Sequence, residues 1–228
     1  MRLATSNIRN RPDLPRETVR QAAAETSKLC DVAFLQEIGE REDHIDAEAG
    51  FGPGWAWVGR DLAIPIAFQR RRWHLLDSGR EMTHRGRADI SPARYINWVV
   101  LRRKRRFGRQ GRTVCFMNTH FVSGAWVDKH TVDQTWRQEH WQIHYAAMRK
   151  RVMDFARDGI TVVFGGDFNR MNVTTFSSTQ RWISDERIDK LAVIPARHGA
   201  KVAVVTHGWK DVTHVEDHKA VWAELRIS

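Results

Sequence analysis

Three short apolar runs end in polar groups that an ordinary strand terminus does not require. Val32-Ala-Phe-Leu runs into Gln36-Glu37, Cys115-Phe-Met into Asn118-Thr119-His120, and Val162-Val-Phe-Gly-Gly166 into Asp167-Phe168-Asn169. Runs of this length and composition, rich in β-branched and aromatic residues, read as strands. If they point toward one rim, their polar ends meet there, and that requirement restricts the fold more than any other feature of the chain. Further strand-like runs stand at 55–58, 63–68, 98–101, 202–205 and 221–225. Two longer stretches read as helices. Over 17–29, Val19, Ala22, Ala23, Thr26 and Leu29 repeat at helical spacing, with Pro15 near the entry. Over 131–156, the stripe Trp141, Tyr145, Met148, Val152 and Phe155 does the same, and Gly159 follows. Strands and helices alternate, which predicts an α/β fold. No repeat, low-complexity tract or linker divides the chain, so a single domain over 1–228 is expected.

The length of 228 residues suffices for a core without disulfides or a structural metal, and 42% hydrophobic content argues against disorder. Cys30 and Cys115 sit among apolar neighbours as small buried hydrophobes, and nothing demands a disulfide between them. The longest apolar run, 62–68, contains Pro65 and is far short of the ~18 residues of a membrane-spanning helix. Residues 1–10 show no signal-peptide pattern, so a cytoplasmic protein is expected. Thirty-seven Lys and Arg against 27 Asp and Glu leave a net charge of +10, which favours a polyanionic partner.

A fourth polar strand end opens the chain, where Leu3-Ala-Thr-Ser runs into Asn7, and a fifth is Glu216-Asp217-His218 before the last strand. Asn7, Glu37, Asp167, Asn169 and Asp217 offer oxygen donors, which suit Mg²⁺ or Mn²⁺ and not zinc. His120 and His218 add a proton carrier and a phosphate partner.

In order along the chain, T-S-N-I-R (5–9), Q-E (36, 37), N-T-H (118–120), G-D-F-N (166–169), R-I-D (187–189) and D-H (217, 218) resemble the signatures of the endonuclease/exonuclease/phosphatase superfamily, the deoxyribonuclease I-like fold. The resemblance implies a four-layer α-β-β-α sandwich of two mixed sheets with helices outside and a catalytic cleft at one rim. It implies Glu37 as principal metal ligand, with Asn7 and Asp217 beside it. Asp167 and Asn169 would position the attacking water or a second metal. His218, oriented by Asp189, would meet the phosphate or carry a proton, and His120 would stabilise charge on the phosphoryl oxygens. The general base, Asp167 or His218, is left open. Arg94 and Tyr95 stand where the family places an Arg or Tyr for the phosphate. Glu216 departs from the pattern, since the family usually carries Ser before the final Asp-His.

The chemistry asks for such a set independently. In-line attack on a phosphodiester builds negative charge that a metal and an imidazolium neutralise, while an acid-paired His manages the proton. Asp189 and His218, 29 residues apart, can pair only through the fold. Other patterns carry less. His140 and His144 lack the Glu of a zinc-protease helix and read as an ordinary helix face. There is no P-loop, no G-x-G-x-x-G and no nucleophile elbow. Most of the ten tryptophans belong to core stripes; Trp126, just past N-T-H, is singled out for base stacking. The turn 102–112 holds seven cations in eleven residues and should lie at the end of the sheet opposite His120, with Arg70, Arg71 and Arg72 pointing the same way. It is either a nucleic-acid tether or a solvated hairpin.

The function so expected is a divalent-metal-dependent phosphodiesterase hydrolysing nucleic acid, a nuclease with Mg²⁺ or Mn²⁺, DNA ahead of RNA as partner, no membrane, and a monomer. A phosphatase or phosphodiesterase acting on a small-molecule or lipid phosphate ester is the alternative the same fold supports; the W-C-D-R-I signature of inositol-polyphosphate phosphatases does not stand at R-I-D. A catalytically silent nucleic-acid-binding module is a third reading, and the filled metal and His positions speak against it.

Overall fold

The computed structural model describes residues 1–8, 15–104, 110–126, 133–185, 187–197, 201–212 and 215–228, with backbone alone at 110 and 215–217. Among the described residues there are two six-stranded mixed sheets with three helices outside them. The first sheet runs β11(Val202–Val212), β12(Val215–Ile227), β1(Arg2–Asn7), β2(Val32–Gln36), β4(Ile66–Gln69), β3(Trp55–Val58). The second runs β5(Trp73–His84), β6(Arg94–Lys104), β7(Gln110–His120), β8(Thr161–Asp167), β10(Asp189–Ile194), β9(Arg181–Ser184). The expected α-β-β-α sandwich of mixed sheets is the observed architecture. Among the described residues no helix is long and apolar enough to cross a membrane.

Alternation along the strands divides the apolar residues between layers. Phe34, Ile66, Val99, Leu101, Phe116 and Val163 fill the space between the sheets, where the Phe34 and Phe116 rings meet edge-on at 6.5 Å. Each such side chain contributes roughly 1.5–3 kcal/mol by leaving water. α1(Arg16–Ser27) buries Val19, Ala22, Ala23 and Thr26 on the outer face of the first sheet, as its spacing predicts. α3(Gln134–Arg157) lays Trp141, Met148, Val152 and Ala156 on the outer face of the second. α2(Arg41–Phe51) answers to no apolar stripe in the sequence; it starts at a reciprocal cap in which the Glu40 N–H donates to Asp43. Cys30 and Cys115 are free and fully buried, and burial pushes both thiols up.

Among the described residues only two strand pairs are parallel, β1 with β2 and β7 with β8, and each is joined through a helix. In α/β sheets the carboxyl ends of parallel strands form the natural crevice. Here the two pairs end at the same rim, one in Asn7 and Gln36, the other in His120 and Asp167. β6 and β7 form an antiparallel hairpin with Leu101 opposite Val114, so Lys104 and Gln110, which flank its turn, lie at the other end. Of that turn, 105–109 lie outside the described residues. Arg72 lies at the same end, where its guanidinium meets Asp31.

Candidate active site

His120, Asp167 and Asp189 are direct cross-strand partners on β7, β8 and β10, so one row across the second sheet carries three of the expected residues. Gly166 makes the row possible. Its φ is +134°, and a Cβ there would lie 2.0 Å from the Thr119 carbonyl oxygen. Only glycine lets β8 approach β7 in this conformation. From the first sheet, Asn7 donates through Nδ2 to Asp167 Oδ2 at 3.1 Å and to Glu37 Oε1 at 3.0 Å. This amide joins the two rims and sets its partial positive charge between two carboxylates.

Around the row the imidazoles face inward. His120 Nε2 lies 3.4 Å from Asp167 Oδ2 and 4.0 Å from Glu37 Oε1. His218 Nδ1 is 2.8 Å from Asp189 Oδ2, and its Nε2 is 4.0 Å from Asp167 Oδ2 and 3.5 Å from Asn7 Nδ2. A carboxylate only accepts, so His218 donates from Nδ1 and leaves Nε2 toward Asp167. Asn169 donates its backbone N–H to Asp167 Oδ1 at 2.8 Å and its side-chain amide to the Phe121 carbonyl. Glu37 and Asn169 both sit at positive φ, +61° and +49°. Non-glycine residues held there store about 1–3 kcal/mol of strain each, and such strain clusters at functional sites.

Burial, with the Asp189 charge second, pushes the Asp167 carboxyl up to about 7, against the His218 charge and the Asn169 hydrogen bond. Burial, then the Arg94 charge, holds His120 well below the usual histidine range. Among the described residues, two groups of three ligand atoms could hold a metal ion: Glu37, His120 and Asp167, and Asp167, Asp189 and His218. They share Asp167. The first adjoins the Asn7 amide, and its Glu37 side chain is 32% exposed, leaving that ligand open to water. An oxygen-rich donor set with room for water fits a hard divalent cation.

Of the remaining expected residues, Arg94 enters the site. It is buried at the start of β6, its Nε has no hydrogen-bond partner among the described residues, and its charge reaches Asp167, Glu37 and His120. Burial lowers its guanidinium to about 10. Tyr95 pairs with Met82, and among the described residues no hydrogen bond joins it to the cluster. Trp126 is half-buried, edge-on to Trp141 at 5.8 Å, with the Arg170 guanidinium 4.0 Å over its ring. The Asp217 and Glu216 side chains lie outside the described residues, as does Arg9.

Three supporting residues were not singled out. Asn118 donates to the carbonyls of Leu35, Ile64 and Pro65 at 2.8–3.1 Å and accepts from Gln36 Nε2 at 2.6 Å, tying the sheets behind the rim. Both sit inside N-T-H and Q-E, which was the available signal. His144 is not on an ordinary helix face. It is fully buried, with Nδ1 2.9 Å from Thr83 Oγ1 and Nε2 2.6 Å from Thr119 Oγ1, directly behind His120.

Comparison with family models matches none, and comparison with curated proteins gives no match either. Solved structures do match over the full chain. An endonuclease/exonuclease/phosphatase family protein from Bacteroides vulgatus aligns with a TM-score of 0.71 at 18% identity, covering 100% of this chain and 98% of its own. Mannosyl-6-phosphatase from Bacteroides thetaiotaomicron aligns at 0.69 and 16%, covering 99% of both chains. TDP2 from D. rerio, complexed with single-strand DNA product, aligns at 0.70 and 13%, covering 99% of this chain and 98% of its own. The chain has the endonuclease/exonuclease/phosphatase fold.

Proposed function

We propose that this protein is a divalent-metal-dependent phosphodiesterase that hydrolyses nucleic-acid phosphodiester bonds. The observation that carries the reading is the row His120–Asp167–Asp189 with His218 paired to Asp189 and Asn7 and Glu37 facing it from the other sheet. Glu37, Asn7 and Asp167 would hold the ion, Mg²⁺ or Mn²⁺, with Asp217 as a further ligand. Bound there, such an ion polarises the phosphoryl oxygens and lowers the pKa of water. Asp189 fixes the tautomer of His218, so that Nε2 faces the cluster and would exchange a proton with the attacking water or the leaving oxygen. Asp167 is the other candidate base, and Asn169 holds its carboxylate in place. Arg94 presents positive charge where the phosphoryl oxygens gain negative charge, and His120 faces them as a neutral imidazole that can donate a hydrogen bond.

The net charge of +10 supports a polyanionic substrate. Exposed Arg85 and Arg87 lie in the loop leading to Arg94 and add cations at the rim. The fold likeness to a mannosyl-6-phosphatase supports a second reading, hydrolysis of a small-molecule phosphate ester. A panel of labelled DNA, labelled RNA, a phosphoinositide and a sugar phosphate, each with Mg²⁺, Mn²⁺ or EDTA, separates the two. Metal-dependent shortening of the oligonucleotides is the expected result. Phosphate release from the sugar phosphate or phosphoinositide alone would replace the nuclease reading with the second.

A further inference from the structure

At the end of the sandwich opposite the catalytic rim, a cavity of about 230 Å³ opens between the sheets. Its walls are Trp73 at the start of β5, Arg103 on β6, Arg112 on β7 and Arg226 on β12, over a floor that includes Val114 and Leu225. Val114 is six residues from His120 along β7, so the cavity lies about 20 Å from the catalytic row.

The charged side chains lining it are mostly cationic, Arg103, Arg112 and Arg226 against Glu224. The Trp73 indole is 2% exposed, and its Nε1–H is buried without a hydrogen-bond partner among the described residues. The Arg103 guanidinium lies 5.6 Å over that ring. Among the described residues no hydrogen bond or ion pair neutralises Arg103, Arg112 or Arg226, and Glu224 is the one carboxylate in the lining. Guanidinium and indole N–H groups donate and cannot accept. Three guanidinium groups against one carboxylate therefore call for an anion with several acceptor oxygens. The volume is below the ~300–1,000 Å³ of pockets that enclose a whole drug-sized ligand.

We propose that this cavity is a phosphate-binding site, separate from the catalytic row. The phosphate belongs either to a nucleic-acid backbone whose scissile bond lies in the cleft or to a free phosphate ion, two sources of one chemistry. Nothing in the site depends on the hydrolase reading, and binding in EDTA needs no turnover.

The experiment is calorimetric titration with inorganic phosphate in EDTA, together with binding of a labelled duplex long enough to span both ends of the sandwich. Arg112→Ser/Arg226→Ser should weaken phosphate binding about tenfold or more, as loss of two charge-assisted contacts requires. Arg103→Ser, which removes the guanidinium over the Trp73 ring, should weaken it severalfold. Loss of duplex affinity in parallel, with a shallower salt dependence, identifies the nucleic-acid backbone as occupant. Unchanged duplex affinity beside weakened phosphate binding identifies free phosphate. Phosphate affinity equal to wild type in both variants overturns the site. Should the double variant fail to fold, Arg112→Gln carries the same test.

Discussion

Asp189 Oδ2 lies 2.8 Å from Nδ1 of His218, and this contact joins the two sheets at the catalytic rim. It fixes which ring nitrogen carries the proton and turns Nε2 toward Asp167. Asp189→Asn keeps the shape and can present an N–H where the acceptor stood, favouring the wrong tautomer. Turnover should fall roughly 10²- to 10⁴-fold with the circular dichroism spectrum unchanged. The pH–rate limb belonging to His218 should move as well. Loss of turnover with an unshifted profile would assign Asp189 a purely structural role.

Asp167 gives the metal-free protein one source of pH-dependent stability. Its carboxyl is raised from 3.8 to about 7, so folding favours the protonated form. The stability it contributes is full below the usual carboxylate range and is lost as pH rises through about 7. In EDTA the melting temperature of the wild type should decline across that window. Asp167→Asn should flatten the decline and gain on the order of 1 kcal/mol above it, about 2–4 °C for a chain of this size. Equal pH dependence in the two proteins would place the titrating group elsewhere.

Glu37 carries a charge that its amide lacks. Glu37→Gln should weaken Mn²⁺ binding in a calorimetric titration far more than it alters oligonucleotide binding in EDTA. An unchanged Mn²⁺ affinity would move the principal ligand to another carboxylate.

Asn118 holds the sheets in register behind the site, its two amide protons shared among the carbonyls of Leu35 on β2 and of Ile64 and Pro65 just before β4. Asn118→Ala removes four buried hydrogen bonds at once, while Ile64 keeps Asn97, Pro65 keeps the Leu35 N–H and Gln36 keeps Thr5. The cost should be roughly 2–4 kcal/mol, about 4–16 °C in melting temperature. A loss below a degree would mean that the sheets stay in register without it.

The sandwich was legible because most of its strands are apolar runs with alternating faces, and the rim because those runs end in groups with no structural use as termini. α2 was not legible. Its sequence, Arg41–Phe51, buries Asp43 and His44 along with Ala47 and Phe51, so no apolar stripe marks it. The site was legible as a set of motifs but not as contacts. The row His120–Asp167–Asp189 depends on the register of β7, β8 and β10, and Asn118 finds its acceptors only because the sheets stack face to face. His144 was misread because a histidine at helical spacing gives no sign of what it packs against; Thr83 and Thr119 come from strands on either side of β6. Arg94 was placed by its position before N-T-H, while its burial against the cluster follows from the end of β6.

In the proposed reaction Asp167 and His218 work together on a phosphate with a divalent cation. Its most direct test is the rate of oligonucleotide cleavage by wild type, Asp167→Ala and His218→Ala in excess Mn²⁺, with the wild type also in EDTA. Cleavage should vanish in EDTA and return with Mn²⁺, and each variant should be about 10²- to 10⁴-fold slower while remaining folded. Near-wild-type turnover in either variant, or cleavage that persists in EDTA, would contradict it.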